Sequence, residues 1–327
     1  MPKILSYAAV QNGQPTRASL EGLSRARELA QARGAGLAAV VLAPDAEAHA
    51  EVFGRYGAQT VYAVSDPVFK THLNTPVLEA LEAVIGRAEP EVVVFPSTEG
   101  VKDVLGALAV RTGGTVLPDV SEVEVRGDGA VEGLRPVMAS KFLARVRAEG
   151  APVLVSVRAG SYEATEAPTE ATVEPVPFSF DQGSLRQTLR EVATSAAGAV
   201  DLSDARVVVA AGRGVKDEAG KQLVEELAEV LGAAIGASRA VVESGMFPAT
   251  AQIGQTGKVV SPDLYVGVGL SGAIQHVAGM VNSRVIVAIN NNPDAPIFDV
   301  ATYGIVGDLY QVLPPLIAAL KEQNVAV

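Results

Sequence analysis

The sequence predicts an α/β protein of two domains, each with a mostly parallel sheet flanked by helices. Three observations carry this. The first half of the chain alternates short apolar strands with amphipathic helices. The same alternation restarts at Val207-Val208-Val209-Ala210-Ala211, after a polar stretch. The composition, 48% hydrophobic and 19% charged over 327 residues, supplies apolar surface for two packed cores. Repeated βα units imply strands that run parallel, with crossover helices on both faces.

Lys3 to Val10 reads as the first strand. Thr16 to Arg33 reads as a helix, because Leu20, Leu23, Ala26 and Ala30 recur at helical spacing. Leu37 to Leu42 is a strand, a helix runs around Ala46 to Tyr56, and Thr60 to Val64 is a third strand. Thr75 to Arg87 is a helix with Leu78, Leu81 and Ile85 on one face. Glu91 to Pro96 carries Val92-Val93-Val94-Phe95, an apolar run that suits a strand buried on both faces. A helix follows from about Thr98 to Thr112.

The pattern then changes. Val123 to Arg126, Val131 to Arg135, Phe142 to Arg147 and Val153 to Val157 are short and turn-bounded, and predict an added antiparallel piece. Glu163 to Pro177 is rich in Glu, Thr, Pro and Ala, a linker-like composition. Asp181 to Ser203 is polar, and the domain division is placed near Asp201, giving residues 1–200 and 201–327. In the second domain the first helix, about Glu218 to Leu231, sets Leu223, Val224, Leu227, Val230 and Leu231 on one stripe. Later strands are Leu264 to Val268 and Val285 to Ile289. The last helix, about Leu309 to Lys321, is interrupted by Pro314-Pro315.

Charge and residue usage exclude several functions. There are 26 basic and 37 acidic residues, a net charge of -11, so nucleic acid and anionic membranes are poor partners. The absence of cysteine removes disulfides, thiolate nucleophiles and cysteine-ligated metals. His49, His72 and His276 are too far apart in sequence to suggest a metal site. Met1 to Tyr7 lacks the apolar core of a secretory signal and no apolar run is long enough to span a membrane, so a soluble cytoplasmic protein is expected.

Gly267-Val268-Gly269-Leu270-Ser271-Gly272 fits the phosphate-cradling G-x-G-x-x-G pattern between a strand and Ala273-Ile274-Gln275-His276, which opens a helix. The next strand ends at Asn290 instead of the acidic residue that a nicotinamide ribose prefers. Gly214 to Lys221 fails as a P-loop, with five residues between its glycines and Gln222 after the lysine. Ser271 is not in a nucleophile elbow. What remains is a series of polar residues in Gly-rich turns near strand ends: Arg213, Ser238-Arg239, Gln255-Thr256, Ser271, Gln275-His276, Asn290 and Asp308. Strand C-termini of open α/β sheets are where ligands bind. Taken singly, Asp308 also reads as the N-cap of the last helix, and His276 as a hydrogen-bonded, partly buried ring. These residues leave a nicotinamide-dependent oxidoreductase and a nucleotide-binding module open as readings.

The motifs Gly212-Arg213-Gly214, Gly236-Ala237-Ser238-Arg239, Gln252-Ile253-Gly254-Gln255-Thr256-Gly257, Ser271-Gly272-Ala273-Ile274-Gln275-His276 and Ala295-Pro296-Ile297-Phe298 resemble the electron-transfer flavoprotein alpha subunit in order and spacing. Arg135-Pro136, Lys141 and Ser156-Val157-Arg158-Ala159-Gly160 extend the resemblance into the first half. Ala210-Ala211 departs from the serine and glycine common in the family. The resemblance implies a C-terminal Rossmann-like FAD-binding domain and a heterodimer with a beta subunit that the N-terminal domain contacts. It implies a carrier without a small substrate of its own. Electrons would come from acyl-CoA dehydrogenases or other flavin dehydrogenases and pass to the electron-transfer flavoprotein quinone oxidoreductase. FAD contacts would come from Arg213, Ser238, Arg239, Gln252, Ile253, Gly254, Gln255, Thr256, Gly269, Ser271, Gly272, Ala273, Ile274, Gln275, His276, Asn290 and Asp308. Within that set Thr256 Oγ or a neighbouring backbone N–H would donate toward flavin N5, and His276 would face the N1–C2=O edge. Arg239 would lie over or beside the ring, Arg213 would pair with a phosphate or lie near the ring, and Asp308 would face the adenosine ribose.

Overall fold

The computed structural model describes residues 3–11, 13–71, 74–138, 142–181, 183 and 202–323. The chain divides into two compact units, Met1–Val192 and Ala193–Val327. The division expected near Asp201, the segment 184–201, and the residues His72 and Lys141 lie outside the described residues.

The first unit begins with β1 (Ile4–Ala8) and a short ribbon of β2 (Val10–Gln11) and β3 (Gln14–Pro15). Helix α1 (Arg17–Ala32) follows, with Thr16 as N-cap accepting from the Ser19 N–H. Next come β4 (Leu37–Ala43), α2 (Ala50–Arg55), β5 (Thr60–Ser65), α3 (Val68–Thr71), α4 (Asn74–Ala88), β6 (Val92–Pro96) and α5 (Glu99–Thr112). Then β7 (Thr115–Val120), β8 (Glu122–Val125), β9 (Val131–Val137), β10 (Phe142–Ala148), β11 (Val153–Val157) and β12 (Thr172–Pro175) complete the unit. Seven strands form one all-parallel sheet in the order β12-β5-β4-β1-β6-β11-β7. Alternate residues feed two cores: Ile4, Val92 and Val94 face α1, while Leu5, Val93 and Phe95 face α4 and α5.

Two expectations need correction here, while the antiparallel piece expected from the other three short segments is present. Val153 to Val157 does not join the antiparallel piece; it is β11, a central parallel strand between β6 and β7. Its five residues are all buried, as a strand covered on both faces requires. The antiparallel piece is a separate sheet of β10-β9-β8. The linker-like segment contains β12, which caps the sheet edge through Thr172 to Pro175 paired with Thr60 to Ala63. An edge strand needs little apolar content, so its composition gave no sign of it.

The second unit contains β13 (Val207–Ala211), α6 (Glu218–Leu231), β14 (Ala234–Ala237), α7 (Arg239–Glu243), β15 (Leu264–Val268), α8 (Ile274–Val277), β16 (Val285–Asn290), β17 (Tyr303–Val306) and α9 (Leu309–Glu322). Its parallel sheet has the order β14-β13-β15-β16-β17. One face packs Val209, Ala211 and Val266 against Val224, Leu227 and Leu231 of α6 and Leu313 and Ile317 of α9. The other packs Val208, Ala210, Tyr265 and Ile286 against Ile253, Leu270 and Met280. Helix α9 continues through Pro314 and Pro315 rather than breaking there. Leu309, Leu313 and Ile317 keep its buried stripe in register across the two prolines.

Candidate functional site

In the second sheet the chain leaves β13 toward β14 on one side, then returns to build β15, β16 and β17 on the other. The crevice beyond the C-termini of β13 and β15 is therefore the topological switch point, where open α/β sheets bind ligands. The turns after those two strands are bonded together. Gly212 N donates to Val268 O at 2.8 Å, and Gly214 N to Gly269 O at 3.0 Å. A Cβ at Gly214 would stand 2.8 Å from the Gly269 Cα, so only glycine allows this approach.

Two cavities extend from this point. One of about 410 Å³ is lined by residues from the turn after β14, the 252–256 loop and the Leu270 to His276 segment. The other, of about 280 Å³, lies among Lys216, Asn290, Asn292, Asp308 and Tyr310. Both are lined by Arg213 and Ser271, so they form successive parts of one elongated groove along the strand ends. Sixteen of the residues predicted from sequence fall on this groove: Ser238, Arg239, Gln252, Ile253, Gly254, Gln255, Thr256, Gly272, Ala273, Gln275 and His276 in the larger cavity, Gly269, Asn290 and Asp308 in the smaller, and Arg213 and Ser271 in both. Ile274 lines neither cavity; it is 48% exposed.

The 252–256 loop is held close to α8. Gln255 N donates to Gln275 O at 2.7 Å, and Gly254 adopts a φ of 142°, which a side chain would strain. Thr256 Oγ1 is exposed and accepts from Gln252 Nε2 at 3.1 Å. Arg239, expected as a fixed cation, is ion-paired with Glu243 at 2.7 Å, one turn along α7. Glu243 lines the same cavity, so this part of the groove carries a paired charge. Sequence reasoning missed Glu243, although its four-residue spacing from Arg239 was a readable sign.

His276 is buried, and its Nε2 lies 2.7 Å from the hydroxyl of the fully buried Tyr265. Burial lowers its pKa to about 4, so the ring is neutral at ordinary pH. A hydrogen-bonding contribution from the Ile253 backbone opposes that shift, though Nδ1 has no partner that meets hydrogen-bond distance and angle. Nδ1 is thus a buried polar atom without a hydrogen-bond partner, and Ser238 Oγ is another. Both belong to residues that line the larger cavity. Buried polar atoms are rarely left unpaired, so this cavity suits a ligand with polar edges.

At the other end Asp308 is the N-cap of α9, accepting from Tyr310 N at 3.1 Å, and it also lines the smaller cavity. The Tyr310 hydroxyl donates to Asp217 Oδ1 at 2.8 Å and ties the start of α9 to the start of α6. Asn290 donates to Leu270 O at 2.6 Å and accepts from Asn292 N at 2.8 Å. Its amide braces two loops of the groove floor. Among the described residues, no group of three His, Asp or Glu side chains could hold a metal ion, and no helix is long and apolar enough to cross a membrane.

A groove of this length, with polar orphans in one cavity and an acceptor carboxylate in the other, fits a dinucleotide that carries a large polar-edged ring. The family comparisons agree. Residues 4–181 match the electron transfer flavoprotein domain, and residues 201–281 match the electron transfer flavoprotein FAD-binding domain. The chain is 38% identical over 326 residues to the electron transfer flavoprotein subunit alpha of Bacillus subtilis (strain 168), covering 99% of this chain and 98% of the relative. It is 42% identical over 272 residues to the subunit alpha of Mycobacterium leprae (strain TN), covering 82% and 83%. The corresponding figures for Paracoccus denitrificans are 37% over 310 residues, 94% and 98%. The chain belongs to the electron transfer flavoprotein alpha-subunit family, and its second unit carries that family's FAD-binding domain.

Proposed function

We propose that this chain pairs with a beta subunit and works as an electron carrier without a small-molecule substrate of its own. It takes electrons from flavin dehydrogenases, such as acyl-CoA dehydrogenases, in the cytoplasm. It delivers them to a membrane-bound electron-transfer flavoprotein quinone oxidoreductase. The observation that carries the reading is the elongated groove at the β13/β15 switch point, with Ser238 Oγ and His276 Nδ1 buried and unpartnered beside it.

FAD supplies the redox chemistry through its ring; the protein supplies orientation and electrostatics. The larger cavity is assigned the ring and the smaller the adenosine. Arg213 and Ser271, common to both, suit the pyrophosphate between them. His276 offers a neutral polar atom in a dry setting, where a hydrogen bond is strong. Thr256 Oγ1 is exposed and can exchange its Gln252 partner for a cofactor atom. Asp308 keeps one carboxylate oxygen on Tyr310 N and offers the other to ribose hydroxyls. The nicotinamide reading gains nothing from Asn290, whose amide is used by Leu270 and Asn292.

For the beta subunit, the first unit offers Met138, Phe142 and Leu143, at 72%, 60% and 60% exposure around the β9–β10 hairpin end. Phe142 and Leu143 point to opposite faces of β10, and large apolar side chains left exposed on both faces suit a strand pair that a partner protein covers.

The test is the visible spectrum of the chain purified with its beta subunit, followed through stepwise reduction. A yellow complex that takes up electrons one at a time supports the carrier. A colourless complex that cannot be loaded with FAD removes it.

A further inference from the structure

Tyr265 sits in the middle of β15, with Val208 of β13 and Ile286 of β16 as its neighbours across the sheet. Its side chain is fully buried, and the one hydrogen-bond partner described for its hydroxyl is His276 Nε2. The bond can run in either direction, and the two directions are not equivalent. If Nε2–H donated, the phenolic proton would be left buried without an acceptor, and the Nδ1 lone pair would be left without a donor. If the phenol donates, the phenolic proton and Nε2 are both satisfied, and one proton remains on Nδ1. Burial raises the Tyr265 pKa well above its ordinary value, so the phenol keeps its proton.

We propose that Tyr265 is a positioning residue for the cofactor site: its hydroxyl donates to His276 Nε2, holds the ring in the Nδ1–H tautomer, and so presents the groove with a neutral donor of fixed direction. The proposal rests on the assignment of the larger cavity to the FAD ring, and it adds a residue that does not line that cavity. Because Tyr265 belongs to a central strand, its hydroxyl cannot follow motions of the one-turn helix α8 (Ile274–Val277). The sheet thus sets the register of the histidine ring. A donor of fixed direction favours an acceptor that gains negative charge when the ring takes up electrons.

The test uses this chain labelled with ¹⁵N at histidine and assembled with an unlabelled beta subunit. His276 is assigned by its loss in His276→Asn. In the FAD-free complex the expected ring signature is a protonated Nδ1 and an unprotonated, hydrogen-bonded Nε2. In Tyr265→Phe the expected signature is a mixture of tautomers. FAD affinity then falls about tenfold, the scale of one misplaced buried hydrogen bond, and the flavin midpoint potential becomes more negative. A protonated Nε2 in the wild-type complex overturns the proposal even if the variant does not fold. An unchanged tautomer and potential in a folded Tyr265→Phe complex overturns it as well. Failure of the wild-type complex to bind FAD, with the Nδ1–H tautomer present, instead overturns the assignment of the cavity and leaves the Tyr265–His276 relationship standing.

Discussion

Gly212 lies directly against the carbonyl group of Gly269, so that a Cβ on residue 212 would overlap it. The contact joins the turns after β13 and β15 at the mouth of the groove. Gly212→Ala is expected to destabilise the protein by about 1–3 kcal/mol, because neither backbone can yield without breaking the Gly212 N to Val268 O bond. It should also release FAD more readily. Gly86→Ala is the control: Gly86 lies in α4 with open space around it, so the change should be neutral or stabilising. Urea unfolding with flavin absorbance checks both. Equal effects would mean that the turn tolerates a side chain.

The second prediction concerns pH. His276 has a folded pKa of about 4 against an ordinary 6.5. Between those values the unfolded chain binds a proton at this site and the folded chain does not. Stability contributed here is therefore lost as pH falls from about 6.5 to about 4, by up to about 3 kcal/mol in all. His276→Gln removes this titration, while Asp119 and the other carboxylates cancel in the comparison. For Asp119, burial pushes the carboxyl up, but hydrogen bonds from Arg158 and Ser97, with the Arg158 and Lys102 charges, hold it below its usual range. Chemical unfolding of both FAD-free proteins at pH 7 and pH 4.5 should show the smaller fall in the variant. Parallel curves would mean that the ring is not buried in its neutral form.

The sequence revealed those features in which each residue obeys one local rule. The apolar run of β6 and the Leu223-to-Leu231 stripe of α6 each have one physical explanation, and both folded as expected. Strand β14, Ala234 to Ala237, was missed because alanine and glycine carry no strand preference; pairing with β13 makes it a strand. Strand β7 was hidden by Pro118 and Asp119, which break its apolar run. For the groove, glycines and polar turn residues were readable because ligand-facing loops need them. Tyr265 was not, since in sequence it is an ordinary aromatic strand residue. Its role depends on His276, eleven positions away and brought to it by the turn at Gly269 to Gly272.

The third prediction tests the proposed partner surface. Phe142 and Leu143 neighbour each other on β10, and both are exposed. The double variant Phe142→Asp with Leu143→Asp should leave the stability of the free chain within about 0.5 kcal/mol, as for most exposed positions. In an interface the same carboxylates would be desolvated without partners. Heterodimer affinity should fall roughly 30-fold or more, the loss expected when hot-spot residues are removed. Sedimentation of mixed subunits reads this directly. Unchanged affinity would place the beta subunit elsewhere.

The last prediction separates charge from structure in the groove. Arg239 and Glu243 form an exposed pair, 67% and 60% accessible, in the cavity assigned to the flavin ring. An exposed pair of this kind contributes about 0–1 kcal/mol, so breaking it should barely move the melting temperature. Its effect on the flavin should be larger and should change sign with the residue removed. Glu243→Gln takes a negative charge away from a ring that gains electrons, so the midpoint potential should become more positive. Arg239→Gln leaves that carboxylate unopposed, so the potential should become more negative. Both shifts should shrink as salt is added, because the charges are open to solvent. If neither variant moves the potential at low salt while both retain FAD, the pair is outside the electrostatic reach of the ring. The flavin would then occupy a part of the groove away from α7, and the roles of the two cavities would have to be exchanged.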